Sequence, residues 1–194
     1  MPHARHLVLY IPGLGDHYDN GRSLLLKGWR LWGVEARLVP IKWYEKGNYQ
    51  NKRALVYAAV QEAKRQGYLI TLIGESAGAS LALNTASEFP QAIKKVIVIA
   101  GVNSSQLPIS PHYTMLAPAF AESAGRVSQS VRIMDPAKIH TVRGLLDHVV
   151  SPRFNDIEGA KKHVIFSVGH FWTIVLCLTL LSGFIAHLVK QSHD

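Results

Sequence analysis

The pentapeptide Gly74-Glu75-Ser76-Ala77-Gly78 follows an apolar run, Tyr68–Ile73, and opens a helical pattern, Ala77–Phe89. A serine at the tip of such a strand–turn–helix junction lifts its hydroxyl above the sheet, and glycines two residues before and after keep side chains from colliding across the turn. The helix starts under the serine, so its first N–H groups can face an oxyanion. The chemistry this permits is attack on an acyl carbon. A hydroxyl is a poor nucleophile unaided, so a base and an acid must come from elsewhere in the chain.

Two residues fit those roles. Asp147 closes the run Ile139–Leu146, and His170 follows the run His163–Val168 after Gly169. Functional groups of an open parallel sheet collect at the carboxyl ends of its strands, and all three candidates end such runs. His170 would take the Ser76 proton and return it to the leaving group; Asp147 would orient the imidazole and stabilise its charged form. Asp135, Asp156 and Glu158 are rival acids. Asp135 precedes its strand and the other two lie further along the loop, which favours Asp147.

The loop Ile11-Pro12-Gly13-Leu14-Gly15-Asp16-His17 follows the first apolar run. Its glycines would let the Leu14 N–H share an oxyanion hole with the Ala77 N–H. Gly13, Asp16 and His17 are candidates to touch substrate, and Asp16, His17 and Tyr18 could line the entrance. A dinucleotide-binding reading of Gly13-x-Gly15 fails, because the third glycine of that fingerprint falls at Tyr18.

Six apolar runs must position these groups: Leu7–Ile11, Ala36–Trp43, Tyr68–Ile73, Lys95–Ala100, Ile139–Leu146 and His163–Val168. Their Val, Ile and Leu content, with little polar alternation, predicts buried parallel strands. Helical patterns lie between them. Gly21–Trp32 has Leu24, Leu25 and Trp29 as its apolar candidates. Asn51–Gln66 gathers Leu55, Val56, Ala59, Val60 and Ala63 on one face, with Gly67 placed to end it. Asp156–Lys161 is at most a short helix, and Phe171–Lys190 closes the chain. Strand alternating with helix predicts an α/β domain with a mostly parallel sheet. We read residues 1–194 as one domain, with 102–138 an irregular crossover and at most a rudimentary cap.

Composition narrows the remaining choices. The chain has 194 residues, 48% hydrophobic and only 18% charged, which excludes a disordered chain. Its single cysteine, Cys177, excludes an internal disulfide and a cysteine-based zinc site. The net charge of +8 comes from Lys and Arg scattered singly or in pairs, so no nucleic-acid face is expected. The apolar N-terminal run is too short for a signal-peptide core, and a cytoplasmic location is expected.

With these residues in view, the sequence resembles the α/β-hydrolase superfamily. The likeness rests on Pro12-Gly13-Leu14-Gly15, the serine pentapeptide, Gly144-x-x-Asp147-x-x-Val150 and Gly169-His170, and runs from Leu7 to about Lys190. It implies a three-layer α/β-hydrolase fold, reduced to about six mostly parallel strands with helices on both faces. The family's two antiparallel first strands and its large cap have no counterpart here. That alignment makes Ala36–Trp43 an edge strand, which agrees with Pro40 inside it. The implied activity is that of a serine hydrolase, a carboxylesterase-type enzyme acting on a small-molecule acyl substrate with no cofactor and no metal. A non-catalytic binding protein of the same fold and a membrane-associated lipid hydrolase are the alternatives. The second rests on residues 171–189, nineteen residues without a Lys, Arg, Asp or Glu. As one helix, its outer face would carry Leu176, Leu180, Phe184 and Leu188, to be buried, paired in a homodimer or set against lipid.

Overall fold

The computed structural model describes residues 5–191. Strands β1 (His6–Ile11), β2 (Glu35–Leu38), β3 (Leu69–Glu75), β4 (Ile93–Ile99), β5 (Ile139–Leu146) and β6 (Lys161–Val168) form one sheet. All pair in parallel, in the order β2-β1-β3-β4-β5-β6. The helices are α1 (Asp19–Gly28), α2 (Tyr49–Arg65), α3 (Ala77–Glu88), α4 (Pro111–Leu116), α5 (Pro118–Ile133), α6 (Pro152–Asn155), α7 (His170–Leu178) and α8 (Ser182–Lys190). The expected reduced three-layer α/β architecture is present.

Alternation along β1 divides the core in two. Leu7, Leu9 and Ile11 join α2, α3 and α5 through Val56, Val60, Leu81 and Phe120. Val8 and Tyr10 join α1, α7 and α8 through Leu26, Ile174, Leu178 and Ile185. Successive side chains of a strand face opposite sides, so a strand covered on both must be apolar throughout.

Local signals set several helix ends. The Asn48 side chain accepts from Asn51 N–H while the Asn51 side chain accepts from Asn48 N–H, each at 3.0 Å, starting α2 with a reciprocal cap. Gly67, at φ +74°, ends it. Pro118 begins α5, where a missing N–H costs nothing.

Several expectations need correction. The run Ala36–Trp43 is a strand only through Leu38. Val39 N–H makes a last bond to Tyr10 C=O at 2.8 Å, Pro40 has no N–H to continue, and Lys42 turns to φ +56°. Val39, Ile41 and Trp43 then drop into the core. The strand is at the sheet edge as expected, but Pro40 lies just beyond it. On α1 the buried face is Arg22 and Leu26, with Trp29 just beyond; Leu24 and Leu25 are exposed. Leu55 of α2 also faces solvent. The short helix near residue 156 is instead α6, four residues earlier. β6 is the other edge strand of the sheet, and with Val164, Phe166 and Val168 exposed it is not fully buried.

The C-terminal segment is two helices, not one. It breaks at Thr179–Leu181 and turns by 70°. Trp29 Nε1 donates to Leu178 C=O at 3.3 Å and Trp32 Nε1 to Ser182 Oγ at 3.0 Å, tying both sides of the break to the turn Trp29–Trp32 that follows α1. Lys95 Nζ donates to the carbonyls of Leu188 and Gln191 at the end of α8. The turn overturns the single outer face: Leu180 is exposed, Leu176 and Phe184 are half-buried, and Leu188 is buried. Among the described residues no single helix is long and apolar enough to cross a membrane; α7 and α8 meet that test only as a bent pair.

The stretch 102–138 holds a loop, α4 and the crossover helix α5. Within it, residues 102–117 precede the crossover helix and can shape the surface above the sheet.

Candidate active site

The chain leaves β1 toward β2 on one side and β3 lies on the other. At such a switch point the connections diverge and leave a crevice at the carboxyl ends of the strands. The β1 loop and the β3–α3 turn meet there.

Ser76 stands at the tip of that turn with φ +48° and ψ −118°, a conformation rarely open to a residue with a side chain. Three backbone bonds hold it: Ser76 N–H to Ile99 C=O at 2.9 Å, and Val102 and Ala79 N–H to Ser76 C=O at 3.0 and 3.1 Å. Both glycines of the pentapeptide are sterically required. A Cβ on Gly74 would lie 2.6 Å from Ala79 Cα, and one on Gly78 would lie 2.6 Å from Pro12 O.

The Ser76 Oγ is 2.8 Å from His170 Nε2, and His170 Nδ1 is 2.8 Å from Asp147 Oδ2. The other Asp147 oxygen accepts from Val149 and Val150 N–H at 2.9 and 3.0 Å. Burial by itself would raise the Asp147 carboxyl. The hydrogen bonds from His170 and from Val150 and Val149 outweigh it and hold the group below the usual carboxylate range. The sequence separates these three residues; the ends of β3, β5 and β6 bring them together. The rival acids are elsewhere. Asp135 caps a short turn through Ala137 N–H, Asp156 pairs with Arg143 and Lys162, and Glu158 is exposed.

A cavity of about 410 Å³ opens over Ser76 and His170. Leu14, Val102, Leu107, Ile109, Phe120 and Ile174 contribute apolar walls, so residues 102–117 supply one side. Ala77 and Gly13 also line it. Asp16 and His17 do not: Asp16 accepts from Tyr44 N–H at 3.3 Å, and His17 is exposed with its ring against Tyr18. Tyr18, the third of these loop candidates, does line it.

Sequence reasoning missed two charged residues behind this site. Glu75 is 1% exposed and Arg22 8% exposed. Arg22 Nε donates to Glu75 Oε2 at 3.1 Å, its Nη2 pairs with Oε1, and Tyr10 OH also donates to the carboxylate. Burial, then the neighbouring Glu75 charge, pushes the Tyr10 hydroxyl well above its ordinary range. The available signal was a lone carboxylate in the otherwise uncharged stretch Leu69–Ser87, which burial would oblige to find a cation.

No protein-family model matches the chain, and no curated protein matches it. Solved structures do. The monoacylglycerol lipase of Paleococcus ferrophilus is 10% identical, with 98% of this chain and 97% of that chain covered and a TM-score of 0.69. Est1E from Butyrivibrio proteoclasticus is 16% identical over 98% of this chain and 90% of that one, at a TM-score of 0.67. A structure from work on LipS and LipT, two metagenome-derived lipolytic enzymes, is 15% identical over 95% and 91%, also at 0.67. At such identities the likeness is one of fold.

Proposed function

We propose that this chain, which has the α/β-hydrolase fold, is a serine hydrolase of the carboxylesterase type. The observation that carries the reading is the pair of 2.8 Å contacts linking Ser76 Oγ, His170 and Asp147 at the tip of a strained turn. His170 Nε2 takes the Ser76 proton as Oγ attacks the acyl carbon. The Leu14 and Ala77 N–H groups receive the developing oxyanion. The protonated imidazole, oriented by Asp147, then gives its proton to the departing alkoxide, leaving an acyl-serine. Water enters, loses a proton to His170 and attacks the acyl carbon. Collapse of that adduct releases the carboxylic acid and returns the proton to Ser76.

The apolar cavity walls favour an uncharged acyl group. Lipolytic enzymes among the structural neighbours agree with ester chemistry. The test is labelling by a fluorophosphonate probe together with hydrolysis of a p-nitrophenyl ester series. Wild type should label once per chain. Ser76→Ala should lose labelling, and its kcat should fall by about 10⁴-fold or more. Absence of labelling in folded wild type would sink the reading.

A further inference from the structure

We infer that Arg22 and Glu75 are positioning residues that fix the Leu14 N–H in the oxyanion hole; the inference rests on the serine-hydrolase reading above. Leu14 sits at the centre of a three-residue turn closed by Gly15 N–H to Gly13 C=O at 2.8 Å. Its two neighbours are each gripped from behind. Gly13 N–H donates to Glu75 Oε1 at 3.1 Å, and Arg22 Nη1 donates to Gly15 C=O at 2.6 Å. The grips belong to one unit, because Arg22 and Glu75 are joined by two donors of the same guanidinium. Asp19 Oδ1 and Tyr10 OH complete the shell around the pair. The Leu14 N–H takes no part in these bonds and is left for another acceptor.

The tolerance is small. A Cβ on Gly13 would lie 2.9 Å from Ser76 Cβ and 3.2 Å from Glu75 O, so this loop is pressed against the nucleophile turn. A displacement of roughly 1 Å in a reacting group costs about 10²-fold in rate. Glu75 is also the residue before Ser76, so the same chain segment that carries the nucleophile sets the height of the donor.

Charge gives the pair a second duty. A bare carboxylate beside a developing oxyanion would oppose it. Arg22 cancels that charge, and Oε1, which takes its Nη2, still accepts from Gly13 N–H as well. Removing Arg22 alone therefore exposes the transition state to Glu75, whereas removing both charges does not. A purely structural ion pair would give no such ordering in kcat at matched stability.

The experiment compares wild type with Glu75→Ala, Glu75→Gln, Arg22→Met and the double variant Arg22→Met/Glu75→Gln. It reads kcat and KM for p-nitrophenyl butyrate, the fluorophosphonate labelling rate and the thermal midpoint. Glu75→Ala should lose about 10²-fold in kcat with KM within about threefold, the pattern of a lost transition-state contact. Glu75→Gln keeps an acceptor for Gly13 and should recover about tenfold of that loss. Arg22→Met should be slower than the double variant. Variants that melt earlier but keep wild-type kcat, or that change KM alone, would overturn the inference. If Glu75→Ala does not fold, Glu75→Gln and the double variant decide it by the same two criteria. Wild type that neither labels nor hydrolyses would overturn the hydrolase reading itself, and that result is visible before any variant is made.

Discussion

Asp147 is held by groups that do different work. Val149 and Val150 N–H fix one oxygen, and His170 engages the other. Asp147→Asn keeps an acceptor for the backbone and loses the charge opposite the imidazole. We expect kcat to fall by roughly 10³–10⁴ with ester substrates and the fold to persist, checked by steady-state kinetics beside circular dichroism. Because the folded carboxyl lies below its unfolded value, its stabilisation is complete at neutral pH. It fades as pH drops through the folded value, so the variant's melting temperature should fall less on acidification than that of wild type. Ser76, Asp147 and His170 were legible in the sequence because each closes an apolar run, which is a local pattern. Arg22 and Glu75 were not. They are 53 residues apart, and an arginine on an amphipathic helix ordinarily reads as solvent-facing.

Between elements, Lys95 ties the middle of the sheet to the last helix. Burial, then the Lys161 charge, lowers it to about 8. A lysine whose folded value lies below its unfolded one disfavours folding while protonated in both states. That penalty is relieved as pH rises from about 8 to about 10.4. Wild type should therefore gain stability across that window relative to Lys95→Met, read as the difference in thermal midpoint between the two at each pH. The elements themselves were mostly foreseen, since periodicity fixes type well. The C-terminal pair was not. A helix apolar on every side has no stripe to show where it bends, and the 70° turn is set by Trp29 and Trp32, far away in sequence. The end of β2 was missed for a similar reason: Val39–Trp43 is as apolar as a strand, but it is buried as an irregular segment.

In the whole molecule, the sheet separates two apolar clusters. Ile41 belongs to one and Ile185 to the other, and both are fully buried. Each Ile→Val change should cost about 0.5–1.5 kcal/mol. The double variant should equal their sum to within about 0.5 kcal/mol, measured by denaturant unfolding; a larger departure would mean the two clusters communicate through the strands. The strand order has a temporal side as well. β2 and β3 are laid on opposite sides of β1, and from β4 onward each new strand is laid beside the one made just before it, so the sheet then grows outward in one direction. His170, whose imidazole meets the Ser76 hydroxyl, is made 94 residues after it. A nascent chain that ends within those residues holds the Ser76 hydroxyl without its imidazole partner, and the contact between them waits for the residues that follow β6.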